Sequence, residues 1–566
     1  MRMRSWNLRF AIVSFAVVAV ACGDDNKKIT LDSGEAVEVT ADAQVVESGN
    51  AVTVTADPAP GVGPLLYQWM AAAGRFADSS AATTTWTAPD GAGDFTLSCI
   101  VTDDVGVGIG STDVSVTQYM PTDSPAYRGA EVCSGCHAQE GQPGGDQYNP
   151  WLASDHAEAI ESLRNIGQGE NTYCLRCHTV GTYGKLADAS LDNGGYDDTS
   201  VDRLAGVQCE NCHGPASQHP NPDFGSVEVD LASEVCGDCH TDEHHPTYDE
   251  WLESGHSMPI GFAAGRASCA KCHNGVEGPR YLDDPEGYTD PTEDPTEIVA
   301  HTCAVCHDPH GNDNPGNLRD ASVDDVVLPN AIHQPNGGAG KLCMSCHNGR
   351  RQTYDVIDQI INGSSHFGPH HSVQGDMISG VNAFEEVAPE FPFTSSLHIL
   401  VEDACVTCHT SPNAGDPSAG IANFTGHTFE PTVEACLPCH GELDDFSDVP
   451  AKADFDGNGL IEGVQVEIQG LLDLLEQVII DASETQEARD ALEDDFEHAL
   501  GDVDVTTVDQ RAAGYNWAFV EFDASTGVHN TTYSVQLLQQ SALFLDPLAL
   551  GPPMVAAPAY LLVDLD

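Results

Sequence analysis

Nine Cys-x-x-Cys-His segments set the chemistry open to this chain. They comprise Cys133, Cys136 and His137; Cys174, Cys177 and His178; Cys209, Cys212 and His213; Cys236, Cys239 and His240; Cys269, Cys272 and His273; Cys303, Cys306 and His307; Cys343, Cys346 and His347; Cys405, Cys408 and His409; and Cys436, Cys439 and His440. Together they use eighteen of the twenty cysteines. Two thiols three positions apart, followed at once by an imidazole, form the attachment signature of a c-type haem. The thiols supply two thioether bonds and the imidazole an axial ligand to iron. Nine covalently bound haem c groups are the expectation.

A second count bears on what such iron can do. The chain has 24 histidines, so fifteen remain beyond the nine in the motifs. Iron held by two imidazoles has no open position, which favours electron transfer over substrate binding. His156 and His256 stand out as second ligands because each closes a repeated segment. These are Tyr148-x-x-Trp151-Leu-x-Ser-x-His156 and Tyr248-x-x-Trp251-Leu-x-Ser-x-His256. His219 and His310 follow motifs so closely that each would serve a neighbouring haem. His398 and His427 precede the eighth and ninth motifs. The pairs His244-His245 and His370-His371 each offer one ligand. His245 and His371 are the members carried forward, although spacing does not separate the two within a pair. His301 lies two residues before Cys303 and is a further candidate. His333, His366 and His498 read as solvated or hydrogen-bonded side chains.

Two segments near the C-terminus add to the set. Gly527-Val-His529-Asn530-Thr531-x-Tyr533 resembles the Gly-x-His-Asn-Pro-x-Tyr segment near the end of several multihaem cytochromes. That resemblance implies that His529 caps a haem, with Asn530 and Tyr533 in support, and that the C-terminal region folds back onto the motifs. Asp454-Phe-Asp456-Gly-Asn458-Gly459-Leu460-Ile-Glu462 matches the first nine positions of an EF-hand-like loop. Its oxygen donors suit Ca²⁺. Asp454, Asp456, Asn458, Leu460 (through its carbonyl) and Glu462 are the expected ligands. Position twelve is Gln465, so the bidentate carboxylate is missing there, and Glu467 is the nearest substitute.

These groups need elements to carry them, and the chain divides accordingly. Arg2, Arg4 and Arg9 precede an apolar run over residues 10–21 that is short for a membrane span. Its end, Ala19-Val20-Ala21-Cys22-Gly23, resembles a bacterial lipoprotein signal, which implies a lipid anchor on Cys22 after a signal peptide of residues 1–21. No other stretch reads as a membrane-crossing helix. After a linker over 22–28, alternating segments such as Ala51-Val-Thr-Val-Thr-Ala56 predict half-buried strands through residues 29–118. The pattern resembles bacterial immunoglobulin-like or PKD-type domains, implying an all-β sandwich with Trp69 in its core. Cys99 has no cysteine partner and reads as a small buried hydrophobe. A second linker spans 119–131.

Residues 132–441 hold all nine motifs, at intervals of 41, 35, 27, 33, 34, 40, 62 and 31 residues. So little chain per motif leaves no room for separate apolar cores, and the expected fold is loops and short helices wrapped around porphyrins. Residues 442–566 read as a small, mainly helical region. Apolar spacing predicts helices over 462–474, 484–500 and 535–545.

The balance of 88 acidic residues against 21 Lys and Arg gives a formal charge of -67. That nearly excludes nucleic acid, whose phosphates need cations. The motif region resembles the multihaem cytochromes c, above all the surface and extracellular ones. The resemblance implies an electron-transfer protein on the outer membrane facing outward, or extracellular. Expected partners are other multihaem cytochromes, an outer-membrane electron conduit, or an extracellular acceptor such as a metal oxide. Two alternatives stand beside it: a reductase of small nitrogen or sulfur oxyanions with one open haem, and a self-assembling filament subunit.

Overall fold

The structure is a computed structural model. It describes residues 37–47, 50–58, 64–89, 93–103, 107–117, 127–139, 141, 145–181, 195–216, 219, 231–242, 244–413, 415 and 423–550. The segment expected to be a signal peptide, with Cys22, and the tail over 551–566 lie outside the described residues. The chain forms two compact units, residues 1–120 and 121–566.

The first unit is built from strands. They are β1 (Glu38–Ala41), β2 (Val45–Glu47), β3 (Ala51–Asp57), β4 (Leu66–Met70), β5 (Arg75–Phe76), β6 (Thr83–Thr87), β7 (Gly93–Thr102) and β8 (Val107–Thr117). One sheet runs β1-β3-β6-β5 and the other β2-β8-β7-β4. All pairings are antiparallel except β2 with β8. Alternation decides the faces: Val52, Val54 and Ala56 are buried while Ala51 and Asp57 face water. Register then sets Val52 opposite Trp86 and Trp69 opposite Cys99. These residues from both sheets share one apolar cluster with Leu97, Val101 and Val114. Each indole also finds a polar partner. Trp69 Nε1 donates to the Ala81 carbonyl at 2.9 Å and Trp86 Nε1 to that of Ala73 at 3.1 Å. Trp86, which the sequence did not single out, is the more deeply buried of the two.

The second unit begins with short helices joined by loops, and each motif falls on helical turns. Examples are Ala130–His137, Thr172–His178, Cys209–His213, Ala267–His273 and Cys405–His409. Helical spacing puts the two cysteines and the histidine of a motif on one face. Apolar clusters here are small. One holds Tyr127, Ile160, Leu163, Leu175, Val180, Tyr196 and Leu204; another holds Tyr281, Leu282, Val305, Ala321 and Leu342.

The C-terminal part is packed differently. Helices α1 (Val464–Asp481), α2 (Val508–Glu521) and α3 (Thr531–Leu545) surround a core of Ile468, Leu471, Leu475, Ala513, Phe519, Leu537 and Leu538. Val356, Ile360, Val373 and Met377, from the stretch after the seventh motif, belong to the same core. Arg511, 2% exposed, donates to the carbonyls of Ile360 and Ile361, at the end of helix Thr353–Asn362. A cation there satisfies carbonyls with no partner inside the helix.

The helix expected over 462–474 runs on to Asp481. The one expected over 484–500 is split at Asp495, whose φ of -151° leaves the helical region, into Gln486–Asp494 and Phe496–Leu500. Helix α2 was not expected at all. Every residue from Gln510 to Val520 is buried, so it has no polar face to betray its period.

Replacing Trp86, 0% exposed, with alanine should empty the centre of the first unit. The expected cost is about 3–5 kcal/mol, read by calorimetry of the whole chain as a lowered transition for that unit alone.

Candidate haem sites

Paired imidazoles are the main feature of the second unit. Two histidines bound on opposite sides of one metal, at about 2 Å per bond, bring their ring centroids roughly 6 Å apart. Eight motif histidines face another histidine at that spacing. The pairs are His137 with His219 (6.3 Å), His213 with His310 (6.1 Å), His240 with His156 (6.2 Å) and His273 with His370 (5.9 Å). The others are His307 with His427 (6.3 Å), His347 with His256 (6.1 Å), His409 with His529 (6.1 Å) and His440 with His398 (6.2 Å). The ninth, His178, lies near His245. Burial, then the charge of His178, lowers the proton affinity of His245. His245 also lies 6.3 Å from His240.

The adjacent pair at 370–371 divides otherwise than expected. His370 faces His273, while His371 is exposed and stacks on Phe522 at 3.9 Å. Consecutive side chains diverge here, and the Ser372 hydroxyl lies 2.7 Å from His370 Nδ1. His301 sits 5.5 Å from His256 without a motif histidine of its own. His333 and His366 are exposed, and His498 pairs with Asp495 at 3.0 Å on the surface.

The second ring nitrogens explain how the rings are aimed. Nδ1 of His178, His307, His398 and His409 meets the carbonyls of Ala159, Gly316, Val528 and Phe429 at 2.9, 2.7, 2.6 and 2.8 Å. His427 Nδ1 meets the Thr425 carbonyl at 3.2 Å, and His347 Nδ1 lies 3.4 Å from Gln374 Oε1. His529 Nδ1 meets Asp523 Oδ1 at 2.7 Å. A ring donating through Nδ1 leaves the Nε2 lone pair free for a metal. Burial lowers the proton affinity of several rings, helped by nearby imidazoles or, at His370, by Arg350, whereas at His529 Asp523 outweighs burial and raises it. His240 and His370 are pulled down to about 4 and His256 to about 3. Neutral imidazole is the form that binds a metal.

The repeated Tyr-x-x-Trp-Leu-x-Ser-x-His segments are repeated in space as well. Trp151 Nε1 donates to the Val207 carbonyl at 2.8 Å and Trp251 Nε1 to the His301 carbonyl at 2.9 Å. Val207 N–H in turn donates to the His156 carbonyl at 2.9 Å, and His301 N–H to that of His256 at 3.1 Å. Each segment thus clamps the chain two residues before a motif, the third or the sixth. Its terminal histidine faces the next motif, the fourth or the seventh.

Thiol contacts between motifs repeat with the same offset of three. Cys133 lies beside Cys209 and Cys236 beside Cys303. Cys177 lies beside Cys239 and Cys272 beside Cys346 in the same way. The first three motifs therefore form a module that the fourth to sixth repeat, a relation the irregular intervals conceal. Cys343 then meets Cys405, and Cys408 lies near Cys436.

The surroundings suit a flat, apolar, metal-bearing group. Leu152 and Leu252 stand next to the two clamps at 51% and 49% exposed, and Leu400 next to His398 at 60%. Exposed apolar side chains at these positions are ones that a porphyrin could cover.

The calcium-like loop gathers part of its expected set. Asp454, Asp456 and Glu467 bring carboxylate oxygens within 4.8 Å of one another. Asn458 Nδ2 instead donates to Glu462 Oε2 at 2.7 Å, and Leu460 is exposed. Glu467 accepts the backbone N–H groups of Phe455 and Glu462 at 2.7 and 2.9 Å, which shapes the loop.

Residues 132–214, which hold the first three motifs, match the family Cytochrome c554 and c-prime. The chain is 25% identical over 231 residues to the multiheme cytochrome MtrA of Shewanella baltica, covering 36% of this chain and 62% of that protein. It is 25% identical over 321 residues to the C-type polyheme cytochrome OmcB of Geobacter sulfurreducens, covering 51% and 39%. Cytochrome c-554 of Nitrosomonas europaea is 30% identical over 114 residues, covering 17% and 42%. The chain is a multihaem c-type cytochrome. Haem c is its covalently bound cofactor. It spans less than two thirds of the length of each of these relatives. No solved structure matches it. Among the described residues, no helix is long and apolar enough to cross a membrane.

Two outcomes follow for this cytochrome. His370→Ala should convert one haem to a high-spin form in the visible spectrum, while His371→Ala leaves every haem low-spin. Asp376, fully buried beside the seventh motif, is pushed up to about 6 by burial, against bonds from Asn382 and Gly349. Its folded pKa exceeds the unfolded value of about 4, so the stability it lends is present at low pH and lost as pH rises through about 6. Asp376→Asn should remove that part of the pH dependence, seen as a melting-temperature difference from wild type that changes between pH 4 and 6.

Proposed function

We propose that this cytochrome is a nine-haem electron relay whose irons each carry two histidines. The observation that carries the reading is the set of facing imidazoles: eight motif histidines face a second histidine, and the ninth, His178, has His245 nearby, so in this reading no iron keeps an open position. In this reading the haem irons would be held by the nine motif histidines with His219, His245, His310, His156, His370, His427, His256, His529 and His398. Each bound iron supplies one-electron exchange between Fe(III) and Fe(II). The chain holds the rings, aims the imidazoles through their Nδ1 bonds and limits access of water.

The thiol contacts support an order of neighbours that differs from the order in sequence. The first motif adjoins the third, the fourth the sixth, the seventh the eighth, and the eighth the ninth. Cys212 near Cys236, and Cys306 near Cys346, link the third to the fourth and the sixth to the seventh. That is a line with the second and fifth motifs as side branches on the fourth and seventh. Its two ends are the first and ninth motifs.

In this reading the strand-built first unit is an immunoglobulin-like sandwich that spaces the relay from a lipid anchor on Cys22. The protein then works at the outer surface, exchanging electrons with other multihaem cytochromes, a conduit or an extracellular acceptor. Ca²⁺ at Asp454, Asp456 and Glu467 would fix the loop that leads into α1.

Spectroscopy of the purified holoprotein tests the reading. Nine haems per chain, all low-spin and unresponsive to carbon monoxide when reduced, are expected. One high-spin haem that binds carbon monoxide would contradict it and favour an oxyanion reductase.

A further inference from the structure

The relay's ligands are not all aimed alike, and one departs from the rest in a way that changes what its iron would feel. Of the Nδ1 bonds described above for the histidines assigned as ligands, only that of His529 ends on a carboxylate. Asp523 is 1% exposed, and its Oδ1 lies 2.7 Å from His529 Nδ1. Its other oxygen accepts the Ser525 hydroxyl, and the same hydroxyl oxygen accepts the His529 backbone N–H at 3.1 Å. Among the described residues no Lys or Arg pairs with Asp523. Asp308 comes to 3.6 Å from His310 Nδ1, beyond hydrogen-bond reach and at the partly exposed surface.

We infer that Asp523 is a positioning residue that selectively lowers the reduction potential of the haem attached at Cys405 and Cys408. The inference rests on His529 being that haem's second ligand. A buried carboxylate accepting the Nδ1 proton makes the imidazole a stronger donor. It also sets an uncompensated negative charge near the iron in a medium that screens poorly. Both effects favour Fe(III) over Fe(II), and no proton need be gained or lost. This haem stands between the seventh and ninth motifs in the contact order. A low potential there makes it a barrier that electrons cross to reach the terminal haem.

The test is a spectroelectrochemical titration of the full-length holoprotein and its variants. Asp523→Asn should move a single-haem component to higher potential and leave the others in place. Asp523→Glu, which keeps the carboxylate, should move it much less, and Ser525→Ala should leave it low. Electron paramagnetic resonance should show altered g-values for one low-spin haem in Asp523→Asn. A titration unchanged in Asp523→Asn, or one shifted for all haems alike, would overturn the inference. His529→Met separates this failure from failure of the ligand assignment. If His529→Met changes one haem and Asp523→Asn changes none, only the tuning role falls. If His529→Met changes none, the assignment of His529 itself falls.

Discussion

A histidine held about 6 Å from another histidine is a poor contact unless a metal lies between them. The second unit is organised around that arrangement. Among the described residues, the stretch through the first six motifs has small apolar clusters, whereas the C-terminal helices share one large core with residues that follow the seventh motif. The facing imidazoles join segments far apart in sequence, such as His213 with His310 and His409 with His529. A haem iron held between such a pair would close a long loop and so couple cofactor binding to folding, as in small metal-dependent domains.

The few cations are used in the same spirit. With 88 acidic residues against 21 Lys and Arg, one would expect positive charge to be spread over the acidic surface. Instead several arginines are buried against carbonyls. Arg511 closes the end of helix Thr353–Asn362, Arg319 reaches the Ala304 carbonyl and Asp283, and Arg128 reaches the carbonyl of His219. Arg319 thereby fixes backbone within the sixth motif and Arg128 that of a facing histidine. The surface is left strongly negative, a field that steers cationic partners and is screened by salt.

What the sequence made legible follows from how local each signal is. A motif is five residues long, so all nine attachment motifs could be read directly. The segments ending at His156 and His256 could be paired by eye because their tryptophans and serines repeat. Which imidazole faces which motif is a relation between distant segments, and no spacing encodes it. His370 and His371 differ by one position, and only packing of His371 on Phe522 separates them. Helix α2 hid for another reason: buried on every side, it lacks the polar face that gives helices a visible period. Trp86 did not stand out as a core residue because its depth depends on the register of β3 against β6. The strands of the first unit, by contrast, alternate plainly and fell where expected.

The central claim is that each motif histidine shares one iron with the named histidine facing it. A cryo-electron microscopy map of the holoprotein tests this most directly. The account predicts a porphyrin between each of the nine pairs, with His370 rather than His371 opposite His273, and neighbours in the order given by the thiol contacts. Porphyrin density at a motif whose second axial position is empty, or filled by a different side chain, would contradict it.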